Sequence, residues 1–289
     1  MITMAEAHAI CAALVVMDLV ARAWRIRWIL AGVDAPISFG AAFTLNAFGD
    51  AACAVTPLRL GGEPARLAGM LRAGVPPAAA FVAISAEVLA AWPVIIAVAL
   101  PLAWYFAPEW WLTAAPKVAG AAERAWPWVA ALLVLSMAAW GIARRASHPR
   151  ALRPLRRVQV YWRRLPPGPL LASAPLTLVN VVARTGILMA LALTLHDPPP
   201  IAILAFGSFA LLYAQLVLPT PSGAGVVDFG FLAGAAGDLG GRGAELLLWW
   251  RFYSSGVGLM LGIALAVRTY GWPAVRRLVS GAGATSRSA

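Results

Sequence analysis

The sequence predicts an all-α protein: a polytopic transmembrane helical bundle with two re-entrant hairpins of opposite orientation, an inverted-repeat-like plan. Three observations predict it. The 289 residues are 61% hydrophobic and 12% charged, with a mean hydropathy of +0.78, whereas roughly a quarter of a soluble domain is charged. Runs of about 20 apolar residues, enough to cross the hydrocarbon core, recur along the chain. Two of these runs are broken by similar Pro/Gly/carboxylate stretches. The runs are continuous and rich in Ala and Leu rather than alternating, which excludes a transmembrane β-barrel.

The elements follow in order. A first helix spans Glu6 to Ala21 and is expected to stop at Arg22, Arg25 and Arg27, with Asp18 interfacial near its end. An apolar stretch from Pro36 to Pro57 holds Asn46, Gly49 and Asp50, and leads into a mixed segment, Leu58 to Gly74, with Arg59, Glu63, Arg66 and Arg72. A long helix from Pro76 to Tyr105 contains Glu87; the Trp-rich stretch Trp104 to Trp128 suits a membrane–water interface. Trp126 to Ile142 crosses back. In the second half Pro169 to Leu195 crosses, Asp197 to Pro200 turns, and Ile201 to Leu218 enters again. The Gly/Pro loop Pro219 to Gly225 and the short Val226 to Ala236 follow, and Glu245 to Val267 makes the last crossing. The chain thus divides into a first half (1–143, hairpin about 36–74), a basic linker (144–168) and a second half (169–289, hairpin about 201–236), within one membrane domain.

Charge sets the orientation. Arg144 to Gly168 holds eight arginines and no acid, and Arg268, Arg276, Arg277 and Arg287 follow Ala266, again without an acid. This is a positive-inside pattern, so the net charge of +11 reads as membrane topology and not as a nucleic-acid patch. It places linker and C-terminus in the cytoplasm of a multi-pass protein of the bacterial cytoplasmic (inner) membrane. Putting Arg22–Arg27 on the same side as the linker requires 36–74 to dip into the membrane and return, which is allowed where protein or water covers the backbone. The same arithmetic makes 201–236 enter from the other face. Arg153, Arg156, Arg157, Arg163 and Arg164 flank Val158, Tyr161 and Trp162, the pattern of an interfacial helix on anionic lipid.

The hairpin tips share a chemistry. One has Pro57, Gly61, Gly62 and then Glu63; the other has Pro219, Pro221, Gly223, Gly225 and then Asp228. Paired Gly/Pro-interrupted segments point to a binding site at an inverted-repeat interface. A charge at mid-membrane costs roughly 2.5–3.5 kcal/mol on insertion scales, so each needs a partner or a role. The candidates are Asp50, Arg59, Glu63, Arg66, Glu87, Arg184, Asp228 and Arg251. Glu63 and Arg66 share a helix face, arginine forks match phosphate oxygens, and half-helix N-termini offer N–H groups to an anion. Together they describe a phospholipid headgroup site. Internal ion pairs, such as Arg59 with Asp50, are the structural alternative, and Glu87 and Arg251 suit helix pairing.

Enzymatic signatures are sparse. His8, His148 and His196 are scattered, Cys11 and Cys53 lack metal-ligand spacing, and no nucleotide loop is present, so neither metal nor cofactor is expected. The expected partners are membrane lipids, with a membrane-protein partner or a homo-oligomer left open.

At these residues the chain resembles the lysylphosphatidylglycerol synthase transmembrane-region family of flippase-like proteins. The matching stretches are Arg22 to Trp28, Asn46-x-x-Gly49 through Pro57 to Arg66, Glu87, Pro219 to Asp228, and Arg251. The resemblance implies lipid transport across the cytoplasmic membrane, with an anionic phospholipid, polyprenyl-linked lipid or hopanoid as cargo. Asp228 stands where the family usually has glutamate, and Ser222-Gly223 where it has a glycine pair. Members often carry another N-terminal helix and a soluble aminoacyl-transferase domain, neither of which is expected here, so lipid aminoacylation is not. A lipid flippase is therefore the expected function; the alternatives are a membrane-embedded transferase on a lipid-phosphate donor and a non-catalytic lipid-delivering subunit.

Overall fold

The computed structural model describes residues 2–106, 153–215, 223–235 and 240–272, with Thr220 and isolated positions between 120 and 138. The crossing expected over 126–142, the linker before residue 153, the tip prolines Pro219 and Pro221, and the arginines after residue 272 lie wholly or partly outside the described residues.

Every described element is helical. Helix α1 spans Met4–Gly32 and starts in a capping box: Thr3 Oγ1 accepts from Glu6 N at 3.2 Å, and the Glu6 carboxylate accepts from Thr3 N at 2.7 Å. Helices α2 (Phe39–Val55) and α3 (Gly62–Arg72) follow, joined through a 3-10 turn at Pro57–Arg59. Then come α4 (Pro77–Phe106), α5 (Arg153–Arg164), α6 (Pro167–Ala192), α7 (Ile201–Ala214) and α8 (Val226–Ala235). Helices α9 (Gly243–Arg251) and α10 (Val257–Tyr270) form one rod interrupted by a π-turn at Phe252–Gly256.

Among the described residues four helices are long and apolar enough to cross a membrane: Met4–Gly32, Pro77–Phe106, Pro167–Ala192 and Gly243–Thr269. Their large apolar side chains stay uncovered, with Leu171 73% and Leu248 71% exposed. In water such surfaces would aggregate; facing lipid they need no cover. The protein is a multi-pass membrane protein.

One expectation is corrected. The first helix does not stop at Ala21 but runs through Arg22 and Arg25 to Gly32. Those two arginines are not a cytoplasmic flank. They are nearly enclosed and neutralised by carboxylates from α1, α2 and α4, so charge there marks a buried site and not a membrane edge.

Two apolar clusters meet along α1. The first joins Cys11, Val15 and Leu19 to the end of α6, to Val227 and Phe231 of α8, and to Leu246 and Trp250 of α9. The second joins Ala23, Ile26, Ile29 and Leu30 to the start of α2, to Met70 of α3 and to Ala79–Ala86 of α4, with Val158 and Tyr161 of α5 against it. The start of α2 and the end of α3 therefore lie at one end of the bundle, the end at which α5 packs. At the other end Ile2 N donates to Leu193 O (3.3 Å), and Arg242 reaches Thr194 O (3.4 Å). Between the clusters, α1 presents Asp18, Arg22 and Arg25, an i, i+4, i+7 stripe.

Candidate functional site

The polar stripe of α1 meets polar stripes from its neighbours. Helix α2 contributes Asn46, Gly49, Asp50 and Cys53; α6 contributes Thr177, Asn180 and Arg184; α3 contributes Glu63 and Arg66; α4 contributes Glu87. They line a cavity of about 390 Å³. Of the lining residues, Asn180 lies at the middle of α6 and Ala91 at the middle of α4. The cavity therefore sits at mid-height of the spanning helices.

Close approach brings α3 onto α2. A Cβ at Gly62 would collide with Cys53 Sγ, so any larger residue would force that thiol to turn or α3 to move off α2. The turn between them is strained: Leu58 (φ 52°) and Arg59 (φ 57°) are consecutive non-glycine residues in the left-handed region. Such residues cost on the order of 1–3 kcal/mol each and persist where surrounding contacts hold them. Here Arg59 lines the cavity, and its Nη1 donates to Gln215 Oε1, just beyond α7, at 3.1 Å.

The ion pairs form two groups. Arg22 binds Asp50 through two bonds (2.7 and 2.6 Å) and Asp18 through one (2.9 Å). Asp18 also accepts from Arg184 Nε (3.3 Å) and from Asn180 Nδ2. In the second group Glu87 Oε1 accepts from Arg25 Nε (2.8 Å) and Nη2 (2.6 Å), and Glu87 Oε2 from Arg66. Thr177 Oγ1 accepts from Arg25 (3.0 Å), and Glu63, its side chain 51% exposed, bonds Arg66 at 3.2 Å. In a low-dielectric interior this pairing keeps the charges from being stranded.

Of the residues singled out in sequence, Asp50, Arg59, Glu63, Arg66, Glu87 and Arg184 line the cavity together. Asp228 and Arg251 do not. They pair with each other at 2.6 Å, while Gly225 N donates to Asp228 at 2.9 Å, so Asp228 caps α8 and ties it to α9. The pairing of Arg59 with Asp50 is replaced: Asp50 takes Arg22. Asp18 is not interfacial but buried, at 5% exposure. At the second tip Gly223 packs against Gln215, so the described parts of the two tips meet at that glutamine; Gly61 and Gly62 lie in the first tip.

Sequence reading missed Asp18, Arg22, Arg25, Thr177 and Gln215. The first three carried a usable signal, a helical i, i+4, i+7 polar stripe inside an apolar run. Gln215 carried none, since a single glutamine at a helix end is ordinary.

The opposite wall is apolar. Val88, Ala91, Trp92 and Ile95 of α4, with Leu58, Leu212 and Tyr213, complete the cavity. Leu58, Val88 and Trp92 are 39%, 39% and 48% exposed, so the apolar wall continues onto the outer surface. Among the described residues no group of His, Cys, Asp and Glu is arranged to hold a metal ion. An arginine-rich floor with an apolar mouth can bind an amphiphile with an anionic head.

No curated protein and no solved structure matches the chain significantly. The family profile described as "Lysylphosphatidylglycerol synthase TM region" matches residues 3–262. The chain belongs to the lysylphosphatidylglycerol synthase transmembrane-region family, whose name ties it to membrane lipids.

Proposed function

We propose that this protein is a lipid flippase, moving a phosphate-bearing lipid between the leaflets of the bacterial cytoplasmic membrane. The observation that carries the reading is the mid-height cavity, arginine-rich on its floor and apolar at a mouth that reaches the lipid-facing surface through Val88 and Trp92. A headgroup would enter sideways, exchange water for arginine donors, and leave its acyl chains in the bilayer. Helices α2–α3 and α7–α8 act as re-entrant hairpins from opposite faces. Two facts support this: α3, α7 and α8 have 11, 14 and 10 residues, fewer than a crossing needs, and Arg59 and Gly223 meet at Gln215. The linker and C-terminus face the cytoplasm on the arginine distribution.

A transferase would need a carboxylate free to act as base or metal ligand. Asp50, Glu63 and Asp228, the carboxylates such an enzyme would use, each hold an arginine instead, which favours transport over chemistry. The test is transfer of an acyl-labelled phospholipid across reconstituted vesicles, followed by mass analysis of the lipid. Transfer above that of protein-free vesicles, with lipid mass unchanged, is expected. No transfer, or a changed mass, would overturn the reading.

A further inference from the structure

We infer that the site selects lipids carrying one negative charge and no amine, a phosphodiester headgroup, and that Arg59, held by Gln215, sets this selectivity. The inference rests on the flippase reading and adds the substrate class to it.

The charge count leads there. Asp18 and Asp50 are taken by Arg22 and Arg184; Glu63 and Glu87 are taken by Arg25 and Arg66. Those four carboxylates balance those four arginines. Arg59 is left over. Among the described residues no carboxylate pairs with it, and its side-chain partner is the neutral amide oxygen of Gln215 at 3.1 Å. An arginine stays charged in any protein environment, so the cluster carries one uncompensated positive charge inside a membrane, where an unpaired charge is costly. One monoanion neutralises it. A zwitterionic head brings its own ammonium, for which every carboxylate in the cluster is already committed, and a cationic head adds to the excess.

Gln215 is built for this task. It is 1% exposed, it accepts from Arg59 without neutralising it, and its Nε2 has no partner among the described residues. A glutamate there would have the same shape and would complete the ion pair. The left-handed backbone at Leu58 and Arg59 holds the guanidinium at the cavity.

The experiment is Gln215→Glu, compared with wild type in two assays. One is transfer of acyl-labelled phosphatidylglycerol and phosphatidylethanolamine in vesicles; the other is thermal stabilisation of the detergent-solubilised protein by short-chain forms of the same lipids. Wild type is expected to prefer phosphatidylglycerol by about tenfold, the size of one charge-assisted contact. Gln215→Glu should lose that preference while keeping or raising its unliganded melting temperature. Arg59→Asn removes the same charge from the other side, and Asn tolerates a left-handed backbone; it serves if the first variant does not fold. Equal handling of both lipids by wild type, or an unchanged preference in the folded variant, overturns the inference while leaving the flippase reading in place. Charge-selective stabilisation without transfer overturns the flippase reading and keeps the selectivity. Neither stabilisation nor transfer overturns both.

Discussion

Arg25 on α1 and Glu87 on α4 meet through two bonds to one carboxylate oxygen, at 2.8 and 2.6 Å, while the other oxygen of Glu87 accepts from Arg66 on α3. One carboxylate thus joins three helices, and its side chain is 3% exposed. Neutralising it strands Arg25 in a buried setting and leaves Arg66 only the half-exposed Glu63, a loss of about 3–5 kcal/mol. Glu87→Gln is therefore expected to lower the melting temperature of the solubilised protein sharply. An unchanged melting temperature would mean that the arginines find other partners, and the three-helix tie would be abandoned.

Helix α10 approaches α2 through Gly262. A Cβ there would run into the carbonyl oxygen of Ala47 and stand 2.7 Å from Ala51 Cβ, both on the helix that carries Asp50. Backbone cannot swing aside as a side chain can, so Gly262→Ala should destabilise by about 1–3 kcal/mol through overpacking. Gly207→Ala on α7, where a Cβ would meet no described residue of another element within 4 Å, provides the control and should be neutral or slightly stabilising. Equal melting temperatures for the two variants would show that α2 and α10 are not held at this distance.

Much of the helical plan was legible because long apolar runs have few alternatives in lipid: the expected helix over Pro76 to Tyr105 is α4, Pro77–Phe106. The candidate site was legible where a charge interrupted such a run, as Asp50, Glu87 and Arg184 do. It was not legible at Arg22 and Arg25, because a basic cluster after an apolar segment looks the same whether it ends a helix in the cytoplasm or continues into a buried site. The carboxylates that decide between these lie 28 and 62 residues further on. Asp228 shows the converse. Its place in a tip motif matched Glu63, but its partner, Arg251, lies 23 residues away on another helix. Local pattern names the ionisable residues, and tertiary pairing assigns their neighbours.

Residue 157 on α5 is expected to face the cytoplasm and residue 2 the periplasm. The structure separates them, with Val158 packed at one end of α1 and Ile2 bonded to Leu193 at the other; the arginine distribution chooses which end is inside. In a background with Cys11 and Cys53 replaced, a cysteine at 157 should resist an impermeant thiol reagent in intact cells, and one at 2 should react. The reverse pattern would invert the orientation.

Arg59 and Arg66 look equivalent in sequence, both within one short tip, yet they should fail differently. Arg66 is bound to Glu87 and Glu63, so Arg66→Gln removes a partner from a buried carboxylate and should chiefly destabilise, again by about 3–5 kcal/mol. Arg59 has a neutral partner in Gln215 and a strained, left-handed backbone, so removing it strands no carboxylate. Arg59→Asn should keep the melting temperature near wild type, while lipid transfer per folded molecule falls by about tenfold or more, as expected when an anion loses a charge-assisted bond. Melting temperature and transfer, measured on both variants in parallel, separate scaffold from site. If Arg59→Asn melts early and transfers normally once corrected for folded protein, Arg59 is scaffold as well, and the headgroup site must lie elsewhere in the cavity.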